Sequence, residues 1–129
     1  MTVPFACVAV AFAFIFLAKV PVGIAQQRAG GYDNRNPRDQ QARLEGWGRR
    51  ALAAHQNAFE AFGPFAASVF VAHLGGGDPK ITGPLALTFV AARLAYHVLY
   101  LLNFATLRST IWAVGFLATT GLFIAPLAR

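Results

Sequence analysis

Acidic residues are scarce in this 129-residue chain: five Asp and Glu stand against eleven Lys and Arg. Charge of both signs together reaches only 12%, where soluble domains carry about a quarter. With 57% hydrophobic residues and a mean hydropathy of +0.51, that shortage excludes an ordinary soluble domain and points to a membrane protein. There is one cysteine, Cys7, so an intrachain disulfide and a cysteine-rich metal site are both excluded. Lying in an apolar run, Cys7 reads as a small buried hydrophobe. No basic stretch precedes the first apolar run, and the run exceeds the about 7 to 15 residues of a signal-peptide core, so a cleaved leader is not expected. The net charge of +6 lacks the interleaved exposed aromatics that a nucleic-acid surface needs.

What is present is a series of apolar runs separated by polar punctuation. The runs predict transmembrane helices at about 2–25, 51–73, 84–104 and 110–128, each long enough for a hydrocarbon core of about 30 Å. The whole chain, 1–129, then forms one all-α membrane domain, a four-helix bundle. Between the first two runs lies a polar loop at about 26–48, dense in Gly, Pro, Asn and Asp. Seven of the eleven basic residues, Lys19 near the end of the first span and six more from Arg28 to Arg50, cluster ahead of the second span, which marks a cytoplasmic loop. An even number of spans then puts both termini outside. Two readings of the loop stand, a solvated surface and a cover that closes over a ligand. Lys19 likewise either snorkels to the interface or meets an anion. Pro21 and Gly23 are expected to kink or fray the first helix at its end. The GGGDPKITG stretch at 75–83 is a connection between helices, since no strand precedes it and no GK[ST] follows.

Ionisable groups inside the second and third spans carry the functional signal, because each costs roughly 2.5 to 3.5 kcal/mol at the centre of a bilayer. In the second span Arg50, Asn57 and Glu60 follow steps of seven and three, and Arg49 joins them through Ala53 and Gln56 near one stripe. His55 points elsewhere. In the third, Arg93, Tyr96, His97 and Tyr100 stand at i, i+3, i+4 and i+7, one helical face. These groups make either a satisfied network between helices or a site for an anion. His55 and His97 are not a ligand-spaced pair, so no metal is expected.

The pairing of AHQNAFEAFGPF with ARLAYHVLYLLNFATLRSTIW resembles the MAPEG family, the membrane-associated proteins of eicosanoid and glutathione metabolism, in its bacterial type. Span count, long first loop and motif order extend the resemblance over nearly the whole chain. It implies a homotrimer that binds glutathione between subunits as co-substrate and acts as a transferase or peroxidase on lipophilic electrophiles delivered by membrane lipid. It further implies that Arg108 stabilises the glutathione thiolate, with Arg49, Arg50, Asn57, Glu60, Arg93, Tyr96, Tyr100 and Ser109 binding the tripeptide. Ala53 and Gln56 stand where studied members carry further arginines, and Tyr96 where they carry histidine. The expected location is the bacterial inner (plasma) membrane. The competing expectation is a non-catalytic membrane protein of the same fold, using its polar faces for assembly or for another anion.

Overall fold

The structure, a computed structural model, describes residues 1–128. It is all-helical, and among the described residues there is no strand. Helix α1 runs Val3–Leu17 and α2 Lys19–Arg28, nearly one rod. The single break, at Ala18, has a cause in sequence: Pro21 has no N–H for the carbonyl of Leu17, so a new helix opens with Pro21 in its first turn, where no donor is needed. The chain therefore does not fray at Pro21 and Gly23 but stays helical to Arg28, three residues past the expected end.

A short α3, Pro37–Ala42, sits in the long loop. It is tied to the end of α2 by two glutamines. Gln26, fully buried, donates to the carbonyl of Pro37 and to Oε1 of Gln40 at 3.0 Å. Gln40 Nε2 in turn donates to the carbonyls of Gly31, at 2.7 Å, and Gln26, and its Oε1 accepts from the Asp33 N–H. Asp33 Oδ1 accepts from the backbone of Arg35 and Asn36, an Asx turn leading into α3. A loop that composition presents as solvated is thus a folded substructure. Replacing Gln40 with Ala removes the shared partner of four groups. Amide hydrogen exchange across 30–42 is expected to rise at least tenfold, with 65–90 unchanged; unchanged protection in the loop would mean that other contacts hold it.

Helices α4, Gly46–Leu74, α5, Pro79–Leu101, and α6, Ala105–Ile124 with a 3-10 turn at Ala125–Leu127, complete the fold. Each begins about five residues before its apolar run. For α5 the reason is Asp78, whose carboxylate accepts from the Lys80 N–H at 2.8 Å ahead of Pro79 at the first helical position. For α6 it is a Schellman closure of α5: Asn103 adopts φ 64°, and Phe104 N–H reaches back to the carbonyl of Leu99. Gly76, φ 70°, closes α4 in the same way, with Gly77 N–H bonded to the carbonyl of Ala72. Pro64, inside α4, withdraws one rung from that helix.

Small residues bring the rods together. Buried positions recur every three or four residues along α1 and α2 (Cys7, Ala11, Ile15, Ala18, Val22) and along α4 (Gly48, Ala51, Ala54, Ala58, Phe65). Such stripes suit helices that pack without a hydrophobic drive between them. Phe65 and Phe89 stack at 3.8 Å at the centre of the α4–α5 contact. Large apolar side chains face outward instead, among them Phe16, Phe59, Leu87, Leu94 and Leu117. Three segments, Val3–Arg28, Pro79–Leu101 and Ala105–Leu127, are long and apolar enough to cross a membrane. A Cβ built on Gly48 lies 2.9 Å from Cβ of Ala25, whereas one on Gly63 meets nothing within 4 Å. Gly48→Ala is therefore expected to destabilise the protein by about 1 to 3 kcal/mol. Gly63→Ala should be neutral or stabilising by up to about 1 kcal/mol. Thermal unfolding of both in one detergent checks the contrast.

Candidate functional site

Because α5 runs antiparallel to α4 and α6 returns after a tight turn, the start of α4, the end of α5 and the start of α6 meet at one end of the molecule. Arg50, near the start of α4, marks that meeting by donating to the carbonyl of Leu101 at 3.4 Å. A cation at the carbonyl end of α5 is favoured by that helix's dipole.

A continuous polar chain crosses the three helices there. Glu60 accepts from Asn57 Nδ2 at 3.0 Å, and Asn57 Oδ1 accepts from Arg93. The guanidinium of Arg93 lies 4.3 Å from the ring centre of Tyr96. Tyr96 meets Tyr100 edge to face at 5.6 Å, and the guanidinium of Arg108 lies 4.3 Å from the ring centre of Tyr100. Six of the nine site residues expected from sequence thus form one connected row: Glu60, Asn57, Arg93, Tyr96, Tyr100 and Arg108.

The two arginines of this row have different work. Arg93 is buried and held on one side by Asn57 and on the other by the Tyr96 ring, while its Nε has no partner. It orients Asn57, and through it the Glu60 carboxylate. Arg108 is half-buried and held by stacking alone, so its N–H fork remains available to an anion. A guanidinium keeps its charge when partly desolvated, which suits it to stabilise a developing or fixed negative charge.

Beside this row an apolar cleft of about 410 Å³ runs between α4, α5 and α6. Asn57, Glu60 and Arg93 line its polar part; Phe89, Trp112, Gly115, Phe116 and Phe123 line the rest. Thr119 and Thr120 also line it, with hydroxyls bonded back to the carbonyls of Gly115 and Phe116, which leaves few free donors on that wall. Sequence reasoning missed these α6 residues. Their one signal is Gly115 with Thr119, a small pair at i, i+4 amid bulky neighbours.

The other expected residues stand apart from the row. Arg49 is exposed on the first turn of α4, and Arg50 is engaged with Leu101. Ser109 is exposed next to Arg108 and bonds back to the carbonyl of Ala105 at 3.1 Å. His97 stands about 100° around the helix from Tyr96, and its ring packs edge-on against Phe14 of α1 rather than joining the row. The ring of His55 packs edge-on against Phe59, and His55 lines one cavity together with Gln56 and Glu60 of the stripe. No cluster of three or more potential metal ligands exists among the described residues.

Membrane-capable helices, an outward apolar surface and a polar row opening on an apolar cleft define the class: an integral membrane protein with its polar chemistry gathered at one end of its helices. Within that class the chain belongs to the MAPEG family, whose model matches residues 3–128. None of the curated proteins compared matches it. Membership carries glutathione-related chemistry at a membrane as its general function, and glutathione is the thiol that the family typically uses.

Proposed function

We propose that the protein is a glutathione-dependent transferase or peroxidase for lipophilic electrophiles. The observation that carries this is the row itself: an acid, an amide, a buried cation, two phenols and an unspent cation, laid beside an apolar cleft. Glutathione brings one ammonium, two carboxylates and a thiol, and the row offers a partner of the right sign for an end of each kind. Glu60 takes the ammonium; Arg108, stacked but otherwise free, takes the thiolate. Asn57, Arg93, Tyr96 and Tyr100 position those two groups, and Arg49, Arg50 and Ser109 complete the set at the same end. The apolar substrate arrives by partition from lipid into the cleft, and the thiolate sulfur attacks its electrophilic atom as the leaving group departs with its bonding pair; at a hydroperoxide the O–O bond breaks, the released alkoxide takes a proton, and a second glutathione completes the disulfide.

In this reading α4 is the fourth membrane span, its polar turns covered by the assembly. The chain forms a homotrimer of four-helix bundles in the bacterial inner membrane, with the 26–48 loop cytoplasmic and the termini outside.

The test is calorimetric titration of glutathione into the detergent-purified protein, wild type and Glu60→Gln. Glutamine keeps the acceptor for Asn57 and removes only the charge. Saturable binding that weakens about tenfold in the variant is expected, the size of one charge-assisted hydrogen bond. Absence of saturable binding at millimolar glutathione, with a monodisperse sample, sinks the proposal. A second reading has one observation in its favour: Glu60, Asn57 and Arg93 already satisfy one another. On that reading the row is an assembly element, and Glu60→Gln lowers oligomer stability without touching any ligand.

A further inference from the structure

A hollow of about 760 Å³ opens at the loop end of the molecule, where the last turn of α2 and the first turn of α4 lie side by side, Gly48 against Ala25. It is not part of the polar row. Along α4, Gly48 lies about 18 Å from Glu60, and Trp47 points about 140° around that helix from it. The wall carries charge of both signs: Arg28 from the end of α2, Asp33 from the loop, and Arg43 and Glu45 from the chain that joins α3 to α4. Trp47 completes it, packed on the cluster of Val22, Ala25, Leu44 and Ala51.

Opposite charges that share a hollow ordinarily pair with one another, yet among the described residues no ion pair joins these four. Arg28 lies 6.0 Å over the Trp47 ring, and Arg43 Nε donates to the carbonyl of Asp39. Asp33 uses one oxygen for its Asx turn, and the Glu45 carboxylate does not cap the helix that it precedes. The hollow also stands at the level of lipid headgroups. Arg28 ends the membrane-capable segment Val3–Arg28, and tryptophan is a side chain that favours the interface. Gln40, tied to Gln26, accepts from the Asp33 N–H, so this part of the wall is set before any ligand arrives.

We propose that this hollow binds a phosphoethanolamine group, a phosphate ester that ends in a primary ammonium. The two guanidinium forks suit the phosphate oxygens, while Glu45 and the second oxygen of Asp33 offer acceptors to the ammonium. Each sign in the wall then has a partner. A bare phosphate would leave both carboxylates facing an anion, and a quaternary ammonium has no hydrogen to give them. The group belongs either to a phospholipid headgroup or to a soluble ester. This goes beyond the glutathione reading and does not rest on it.

The test uses the full chain in phosphatidylcholine nanodiscs at constant ionic strength, without glutathione in any arm. Thermal stability is followed while phosphatidylethanolamine replaces phosphatidylcholine, while phosphatidylglycerol replaces it, and while soluble phosphoethanolamine is added. Wild type is compared with Arg28→Gln, Arg43→Gln and Glu45→Gln, and with Arg38→Gln and Asp39→Asn, equal losses of charge outside the hollow. All five side chains are exposed, so the variants fold. A saturable stabilisation by one of the two ethanolamine probes is expected, with a midpoint that rises about fivefold in the three hollow variants and is unmoved in the other two. A response to phosphatidylethanolamine alone assigns the site to a lipid headgroup; a response to the soluble compound assigns it to a free ester. The proposal is overturned if phosphatidylglycerol stabilises as strongly, or if Glu45→Gln moves nothing, since the hollow then reads an anion alone. It is equally overturned if Arg38→Gln and Asp39→Asn weaken the response as much, the mark of a bilayer-wide effect, or if no probe stabilises wild type.

Discussion

On the proposed function, replacing Arg108 with Ala is expected to lower glutathione-dependent turnover at pH 7 about 25-fold while leaving the melting temperature unchanged. The size follows from the thiol. A free thiol with a pKa near 8.5 is only about 3% thiolate at pH 7, and lowering that pKa by about two units makes roughly three-quarters of it thiolate. The shift requires about 2.7 kcal/mol of preferential stabilisation of the anion, within reach of one oriented guanidinium in a partly desolvated site. The sign is fixed by charge. Arg108 favours the ionised thiol, so its loss raises the bound thiol's pKa and the defect is greatest below that pKa. The variant's rate should climb with pH and approach wild type above about pH 8.5, whereas the wild-type rate is already level near neutrality. Thiolate absorbance of bound glutathione, scanned across pH, reads the same shift directly. A deficit that stays constant from pH 6 to pH 9 would assign Arg108 to binding or folding instead. Arg108→Lys should recover only part of the activity, because an ammonium lacks the flat face that stacks on Tyr100.

The second large effect concerns Asn57. Its side chain is the link between buried Arg93 and the Glu60 carboxylate. Asn57→Ala strips an acceptor from a buried charged donor and is expected to cost about 3 to 5 kcal/mol, the range for an uncompensated buried charge. Arg93→Met removes the charge together with its need for a partner, and should cost far less. The double variant should then be more stable than Asn57→Ala alone, a coupling of about 2 kcal/mol or more in the sense opposite to independent sites. Thermal unfolding of the four proteins in one detergent closes this cycle. Additive losses would mean that the Asn57–Arg93 contact carries little energy.

Much of this arrangement was legible in the residues, and the parts that were not share a cause. Asn57, Glu60, Arg93, Tyr96 and Tyr100 fall on helical stripes because polar groups in apolar helices are few and their spacing is unambiguous, whereas Arg108 came only from the family resemblance; the structure joins all six. His97 stays out of the row because i and i+4 share a face only broadly, and Phe14 of another helix decides which way its ring turns. Helix starts were set too late because apolar runs report where burial begins, while caps such as Asp78 and closures such as Asn103 set where helical hydrogen bonding begins. The glutamine-tied loop was invisible for a related reason: Gln26 and Gln40 read as solvated residues until the chain folds back and buries one against the other. The cleft wall on α6 escaped notice since threonines, glycine and aromatics carry no charge to mark them.

Pro64 has a consequence for the ligand end of the row. Because residue 64 cannot donate, the main-chain oxygen of Glu60 has no helical partner four residues on, and both residues line the same cleft. Residue 60 therefore carries two acceptors outside the helix's own ladder, one charged and one not. A primary ammonium has enough hydrogens to engage both; an acylated amine has one and no charge. On the proposed glutathione reading the backbone itself helps to select a free amino terminus, and it would keep part of that preference after the carboxylate was neutralised.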